Sequence, residues 1–141
     1  MPQSHPFQNY QRTNIETADQ RTLIVMLYDG LIRFLRKAQQ KIEANDVEGA
    51  HNYLVRSRQI VSELLSTLKP EKSGEIGHNL QRLYAYAFNR IVEANLYKDP
   101  DVIEEVIGMM STLREGWQSV KSAPGKANPA AVENKRFNLT T

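Results

Sequence analysis

The sequence predicts an all-α protein, an antiparallel up-down-up-down four-helix bundle with flexible N- and C-terminal tails. Three observations predict this fold class. Four stretches of the chain place apolar residues at intervals of three and four, which is the spacing of an amphipathic helix. The breaks between the stretches hold only a few residues, so consecutive helices should run in opposite directions. Many of the intervals add up to seven residues, which favours crossing angles of about 20° between helices.

The first two predicted helices are separated by a two-residue break. The first runs from about Asp19 to Ala44, and the second runs from about Val47 to Leu68. Between them, Asn45 suits the left-handed position that often ends a helix, and Asp46 can cap the next helix. The inward-facing stripe of the first helix is Ile24, Leu27, Leu31, Phe34, Ala38 and Ile42. The stripe of the second helix is Val47, Ala50, Leu54, Ser57, Val61, Leu64 and Leu68.

The last two predicted helices meet at Asp99-Pro100. The third runs from about Gly74 to Lys98, and the fourth begins with Asp99 as its cap and Pro100 in its first turn. The stripe of the third helix is Ile76, Leu80, Leu83, Ala87, Ile91 and Ala94. The stripe of the fourth helix is Ile103, Val106, Met110, Leu113, Trp117 and Val120. Residues 1–18 and 122–141 lack this pattern, so we predict two tails that flank a bundle formed by residues 19–121.

Composition excludes several classes of protein. The 141 residues contain no cysteine, which excludes a disulfide scaffold, thiolate catalysis and cysteine-ligated metal centres. The longest apolar run, residues 23–27, is far shorter than the roughly 20 residues of a membrane span. The first residues do not resemble a secretion signal, so we expect a soluble intracellular protein. A net charge of +2 gives little support for nucleic-acid binding, and we interpret Arg33, Arg36, Lys37 and Lys41 as a solvated helix face.

Two Glu-x-x-His motifs are the only candidates for a metal centre. Glu48 and His51 begin the second helix, and Glu75 and His78 begin the third, a combination that binds two irons in some four-helix bundles. Because the two helices run in opposite directions, the motifs should lie about 25 Å apart, whereas a shared metal pair needs about 4 Å. Phosphate-binding glycine loops and nucleophile motifs are also missing from the sequence. We therefore predict no metal, no cofactor and no enzymatic activity.

Each helix also carries apolar residues outside its stripe. In the first helix these are Leu23, Val25, Met26, Tyr28, Ile32 and Leu35, and in the second they are Tyr53, Val55, Ile60 and Leu65. In the third helix they are Tyr84, Tyr86, Phe88 and Tyr97, and in the fourth they are Val102, Ile107 and Met109. One bundle core needs a stripe only about 100° wide on each helix, so this surplus requires an explanation. Three explanations remain open. The first is a wide core that is partly covered by Phe7, Tyr10 and Ile15, the second is a homodimer face, and the third is a groove for an amphipathic helix of another protein.

Three segments in register resemble the FliS family of flagellin export chaperones. The first is the apolar run from Leu23 that ends in Met-Leu-Tyr-Asp-Gly at residues 26–30. The second is Glu-Lys-Ser-Gly-Glu-Ile at residues 71–76, followed by Asn79-Leu80, Leu83-Tyr84 and Tyr86. The third runs from Glu93 through Asp99, with Trp117 beyond it. Within the first segment, Gly30 is unusual for a helix interior and indicates a close approach of another helix.

The resemblance implies a chaperone that binds another protein and makes or breaks no covalent bond. Such a protein would bind the C-terminal region of unpolymerised flagellin in the cytoplasm, prevent premature polymerisation and deliver flagellin to the type III export apparatus of the flagellum, with export-gate components as further partners. The alternative is a helical adaptor or dimerising bundle that serves another protein. We predict that the partner-binding residues are Tyr10, Ile24, Leu27, Tyr28, Leu31, Leu80, Leu83 and Tyr84.

Overall fold

Four α-helices account for most of the chain that can be described. The structure is a computed structural model and describes residues 20–119, apart from the side chains of residues 70–73. The helices are α1 (Gln20–Glu43), α2 (Val47–Ser66), α3 (Pro70–Tyr97) and α4 (Pro100–Ser119). All four predicted helices are confirmed, and residues 20–119 contain no strand. The two predicted tails lie outside the described residues.

The helix ends follow from local backbone chemistry. Asn45 adopts the left-handed conformation with φ 59°, and the Asp46 carboxylate accepts a 2.9 Å hydrogen bond from the backbone N–H of Gly49. This hydrogen bond lowers the pKa of Asp46, because it stabilises the ionised carboxylate. Lys98 ends α3 in the left-handed conformation, and the Asp99 carboxylate accepts from the backbone N–H of Asp101. The predicted roles of both aspartates as helix caps are confirmed.

A kink at Gly74 divides α3 into a first turn and a long second part. Gly74 has φ 60° and ψ −129°, whereas the backbone on either side is helical. A side chain is strained at this backbone conformation, so glycine is the residue that suits it. The helix therefore begins four residues before the predicted start at Gly74, because a turn that starts at Pro70 precedes the kink.

Alanine substitutions at two glycines should have opposite effects on stability. A Cβ at Gly74 or at Gly108 would meet no other atom within 4 Å, so the two sites differ mainly in backbone conformation. We expect Gly74→Ala to lower the free energy of unfolding by roughly 1–3 kcal/mol. Gly108→Ala should raise it by about 0.5–1 kcal/mol, because Gly108 lies within the regular helix α4. Urea unfolding measures both changes. If Gly74→Ala left the free energy of unfolding unchanged, this result would contradict the strain at the kink.

Each helix packs against two neighbours around a shared core. α1 and α3 both contact α2 and α4. The largest fully buried side chains come from all four helices and are Tyr28, Tyr84, Leu27, Leu31, Leu35, Leu54, Leu64, Ile91, Ile103, Ile107, Met110 and Val61. The described part of the chain is therefore a four-helix bundle with one continuous core.

Side-chain contacts show which residues face each other across neighbouring helices. Between α1 and α4, Arg114 pairs with Asp29, and Arg36 pairs with Glu104 at 2.9 Å. Residue numbers thus rise along α1 as they fall along α4. Antiparallel neighbours produce this order of contacts, and the up-down-up-down arrangement stays the prediction that fits it.

The charges of α1 and α4 are opposite in sign. α1 carries five basic and two acidic residues, whereas α4 carries one basic and four acidic residues. The two helices are neighbours, so the ion pairs between them join a basic helix to an acidic one. Each of these pairs is partly exposed and contributes little to stability by itself.

Gly30 does not mark a close approach of two helices. A Cβ at this position would lie 3.5 Å from the Ile60 side chain of α2, which is an ordinary van der Waals distance. The expectation of close packing at Gly30 is therefore wrong, and α1 and α2 leave room here for an alanine side chain.

Candidate functional site

Most of the predicted partner-binding residues lie inside the bundle. Seven of the eight belong to the described part, and six of those are at most 4% exposed: Ile24, Leu27, Tyr28, Leu31, Leu80 and Tyr84. Leu83 is half-buried against the core, and Tyr10 lies outside the described residues. In the bundle the six buried side chains fill the interior, so a role in partner binding stays a prediction for all eight.

Most of the surplus apolar residues either belong to the core or pack against it. Leu23, Leu35, Ile60, Val102 and Ile107 lie outside the predicted stripes, yet all five are buried. The core is therefore wider than one narrow stripe on each helix, which agrees with the first of the three explanations. The residues expected to cover that core, Phe7, Tyr10 and Ile15, lie outside the described part.

A pair of buried tyrosines connects α1 to α3 across the centre of the bundle. The hydroxyl groups of Tyr28 and Tyr84 share a hydrogen bond of 2.5 Å, and their ring centroids are 6.4 Å apart. Buried hydroxyl groups need such partners, because an unpaired polar group in the core is costly. The two tyrosines of the sequence motifs therefore meet each other in the interior.

Exposed apolar side chains remain along the junction of α2 and α3. We define the α2–α3 apolar face by Val47 and Val55 of α2 and by Phe88, Val92 and Leu96 of α3. Val47, Val92 and Leu96 are 61%, 38% and 71% exposed, whereas Val55 and Phe88 are half-buried. Val92 and Leu96 are one helical turn apart, so they occupy the same side of α3.

Two polar contacts bridge the helices along this face. Asn95 of α3 and His51 of α2 are hydrogen-bonded at 2.9 Å, and the Arg58 guanidinium lies over the Phe88 ring at 5.8 Å from its centroid. Val47 and Val55 lie four residues on either side of His51, and Phe88 lies four residues before Val92. The face is thus apolar with one histidine and one arginine, and this composition suits the apolar side of an amphipathic helix.

Tyr86 is exposed but is occupied by a polar network between α3 and α4. Its hydroxyl donates to Glu105 at 2.6 Å, and Arg90 donates to the same carboxylate at 2.7 and 2.9 Å. The Tyr86 hydrogen bond, followed by the Arg90 contacts, holds the pKa of Glu105 below its ordinary value. The same hydrogen bond raises the pKa of Tyr86, because the phenol must remain protonated to donate. This tyrosine therefore fastens two helices together and is not free apolar surface.

The two Glu-x-x-His motifs lie apart, as the sequence predicts. His51 contacts Asn95, which lies 17 residues beyond His78 in α3, or about 25 Å along the helix. Among the residues that the structure describes, no three His, Cys, Asp or Glu side chains are grouped so that they could hold a metal ion. None of the four helices described has the length and apolar character needed to cross a membrane.

The family model described as "Flagellar protein FliS" matches residues 3–124. The chain belongs to the FliS family. The resemblance predicted from three short motifs is therefore confirmed over most of the chain.

Several relatives of this FliS-family chain carry the name "Flagellar secretion chaperone FliS". The relative from Bacillus subtilis is 33% identical over 119 residues, which cover 84% of this chain and 88% of the relative. The relative from Campylobacter jejuni is 35% identical over 79% of this chain and 87% of its own length. The relative from Salmonella typhimurium is 35% identical over 79% of this chain and 86% of its own length. The chain thus belongs to a family of flagellar secretion chaperones.

Sequence reasoning missed part of the exposed apolar surface of this FliS-family protein. Val92 and Leu96 were not among the predicted surplus residues, and Val47 was expected in the core. Val47 is the first residue of α2 and is exposed. The exposure of Val92 and Leu96 could have been predicted from the sequence. The two residues are four positions apart and lie off the inward stripe of α3.

Proposed function

We propose that this chain is an export chaperone for flagellin. It binds the disordered C-terminal region of flagellin in the cytoplasm, prevents premature polymerisation and delivers flagellin to the flagellar type III export apparatus, where it contacts export-gate components. Membership of the FliS family, whose named members are flagellar secretion chaperones, carries this proposal. In this role the protein acts by binding and has no catalytic function.

The α2–α3 apolar face supports this function and is the binding surface that we propose. A disordered segment loses conformational entropy when it folds on a partner, so a few buried anchors must supply most of its affinity. Val92 and Leu96 are exposed branched side chains one turn apart, and they can receive the apolar side of a flagellin helix. Tyr10, which the family resemblance assigns to partner binding, belongs to the same proposal.

The experiment compares two forms of flagellin. The full-length chain is mixed with intact flagellin and with flagellin that lacks its C-terminal region, and light scattering after size-exclusion chromatography gives the mass of each complex. We expect a complex with intact flagellin and none with the truncated form. Equal binding to both forms would contradict recognition of the C-terminal region. Binding to neither would favour an adaptor for another protein, and the mass of the free chain reports whether it forms a homodimer.

A further inference from the structure

A second surface of the bundle combines aromatic rings with basic side chains. We define the Phe34 patch by Arg33, Phe34 and Lys37 of α1 and by Tyr53 and Arg56 of α2. The Phe34 and Tyr53 rings are 5.8 Å apart, and both are half-buried against the core. The guanidinium carbons of Arg33 and Arg56 lie 5.5 and 5.9 Å from the Phe34 centroid. Two cations from two helices therefore share one aromatic ring.

The basic side chains of the Phe34 patch differ from Arg36 and Lys41 of α1 in having no acidic partner among the described side chains. Arg36 pairs with Glu104, and Lys41 pairs with Asp46. In contrast, no carboxylate among the described side chains lies within ion-pairing distance of Arg33, Lys37 or Arg56, and all three are exposed. The patch thus concentrates positive charge that the bundle itself leaves uncompensated.

The aromatic ring prepares the two guanidinium groups for binding. A cation–π contact at an exposed site contributes about 0.5–1 kcal/mol, which restrains a side chain that otherwise samples many conformations. A restrained arginine loses less entropy when it binds, and its planar N–H groups match the two oxygens of a carboxylate. An isolated surface arginine has the same planar group but lacks this restraint, so the patch is more than a solvated face.

We propose that the Phe34 patch binds an acidic helical segment of a partner protein. Two carboxylates one turn apart in that segment would engage Arg33 and Arg56, and an apolar side chain between them would cover the exposed part of Phe34. Charge complementarity selects this partner. A nucleic acid is a weaker match, because neutralising about three phosphates releases few counterions and gives little affinity.

The Phe34 patch is separate from the α2–α3 apolar face. Tyr53 and Arg56 lie on the side of α2 that contacts α1, whereas His51 and Arg58 lie on the side that contacts α3. A segment bound to the patch therefore leaves the α2–α3 apolar face free. The proposal does not rest on flagellin binding, and its test contains no flagellin.

The test measures binding of a labelled synthetic peptide to the full-length chain by fluorescence anisotropy. The probe is an alanine-based helix with pairs of glutamates spaced by four and a leucine between them, and the control probe carries glutamine in place of glutamate. We expect the Arg33→Gln/Arg56→Gln variant to bind the glutamate peptide about tenfold more weakly than the unmodified chain does. The matched variant Arg36→Gln/Arg82→Gln removes the same charge from two exposed arginines outside the Phe34 patch and should change affinity less than about twofold.

Other outcomes would overturn the proposal. If both double variants lost the same affinity for the glutamate peptide, the attraction would be nonspecific. If the unmodified chain bound the glutamine peptide as tightly as the glutamate peptide, carboxylate recognition would be excluded. Tighter binding of single-stranded DNA of matched charge, lost in Arg33→Gln/Arg56→Gln, would assign the patch to nucleic acid instead. If Arg33→Gln/Arg56→Gln melts at a lower temperature, the variant Arg33→Lys/Arg56→Lys is measured in its place. It keeps the charge but not the planar N–H groups. The proposal requires this lysine variant to bind the glutamate peptide more weakly as well.

Discussion

Replacing Leu31 with alanine should lower the free energy of unfolding by about 2–5 kcal/mol. Leu31 is fully buried in α1 and belongs to the continuous core. The substitution removes apolar atoms from a packed interior and leaves a cavity that the neighbouring helices cannot fill completely. This loss is a large fraction of the stability of a typical domain, which is about 5–15 kcal/mol. Urea unfolding followed by circular dichroism measures the change.

The matched control for Leu31 is another leucine with the opposite environment. Leu96→Ala deletes the same atoms from a side chain that is 71% exposed, so it should change the free energy of unfolding by less than about 0.5 kcal/mol. Leu31 is also one of the predicted partner-binding residues. If Leu31→Ala left stability unchanged and weakened flagellin binding, its assignment to the core would be wrong.

Replacing Leu96 with aspartate should weaken flagellin binding by at least about tenfold, which corresponds to 1.4 kcal/mol. An apolar anchor of the bound segment would then face a carboxylate that must lose its hydration without gaining a partner. The folded bundle should tolerate the change, because Leu96 is exposed in the free protein and makes little contribution to the core. Titration calorimetry with intact flagellin measures the affinity, and thermal melting checks the fold.

The control for Leu96→Asp places the same charge on another helix. Thr112→Asp lies at an exposed position of α4, away from the α2–α3 apolar face, and should leave flagellin affinity within about twofold. If both variants bound flagellin like the unmodified chain, the binding surface would lie elsewhere on the protein. If both lost affinity equally, the effect would come from net charge and not from the apolar face.

The helices and their junctions could be predicted because the signals are local. Periodic apolar residues define each helix, and Asn45 and Asp46 act within a few residues of their own position. The kink at Gly74 was not predicted, because glycine is also common at helix ends and its φ of 60° depends on how the preceding turn is placed. The predicted end of α3 near Lys98 agrees with the structure, whereas the left-handed backbone of Lys98 was not predicted.

The candidate site was harder to predict because exposure depends on tertiary packing. Periodicity shows which side of a helix is apolar, but it does not show how much of that side the neighbours cover. Tyr28 and Tyr84 lie off the main stripes, yet they are buried because each hydroxyl finds a partner across the bundle. Leu96 has ordinary apolar chemistry and is exposed only because no described helix packs over it. A family resemblance can identify the kind of protein, but motif residues that serve folding cannot be separated from those that serve binding.

The opposite charges of α1 and α4 give the bundle a transverse electric dipole. Residues 20–119 carry equal numbers of basic and acidic residues, so the charges of the bundle itself act on a charged molecule as a dipole. A dipole exerts a torque, and the bundle will therefore turn its α1 side toward a negative surface before any contact forms. This alignment fades as ionic strength rises, because the Debye length is about 8 Å at physiological salt and about 30 Å at 0.01 M. Salt concentration will thus change how often an encounter begins in a productive orientation, even for a partner held by apolar contacts.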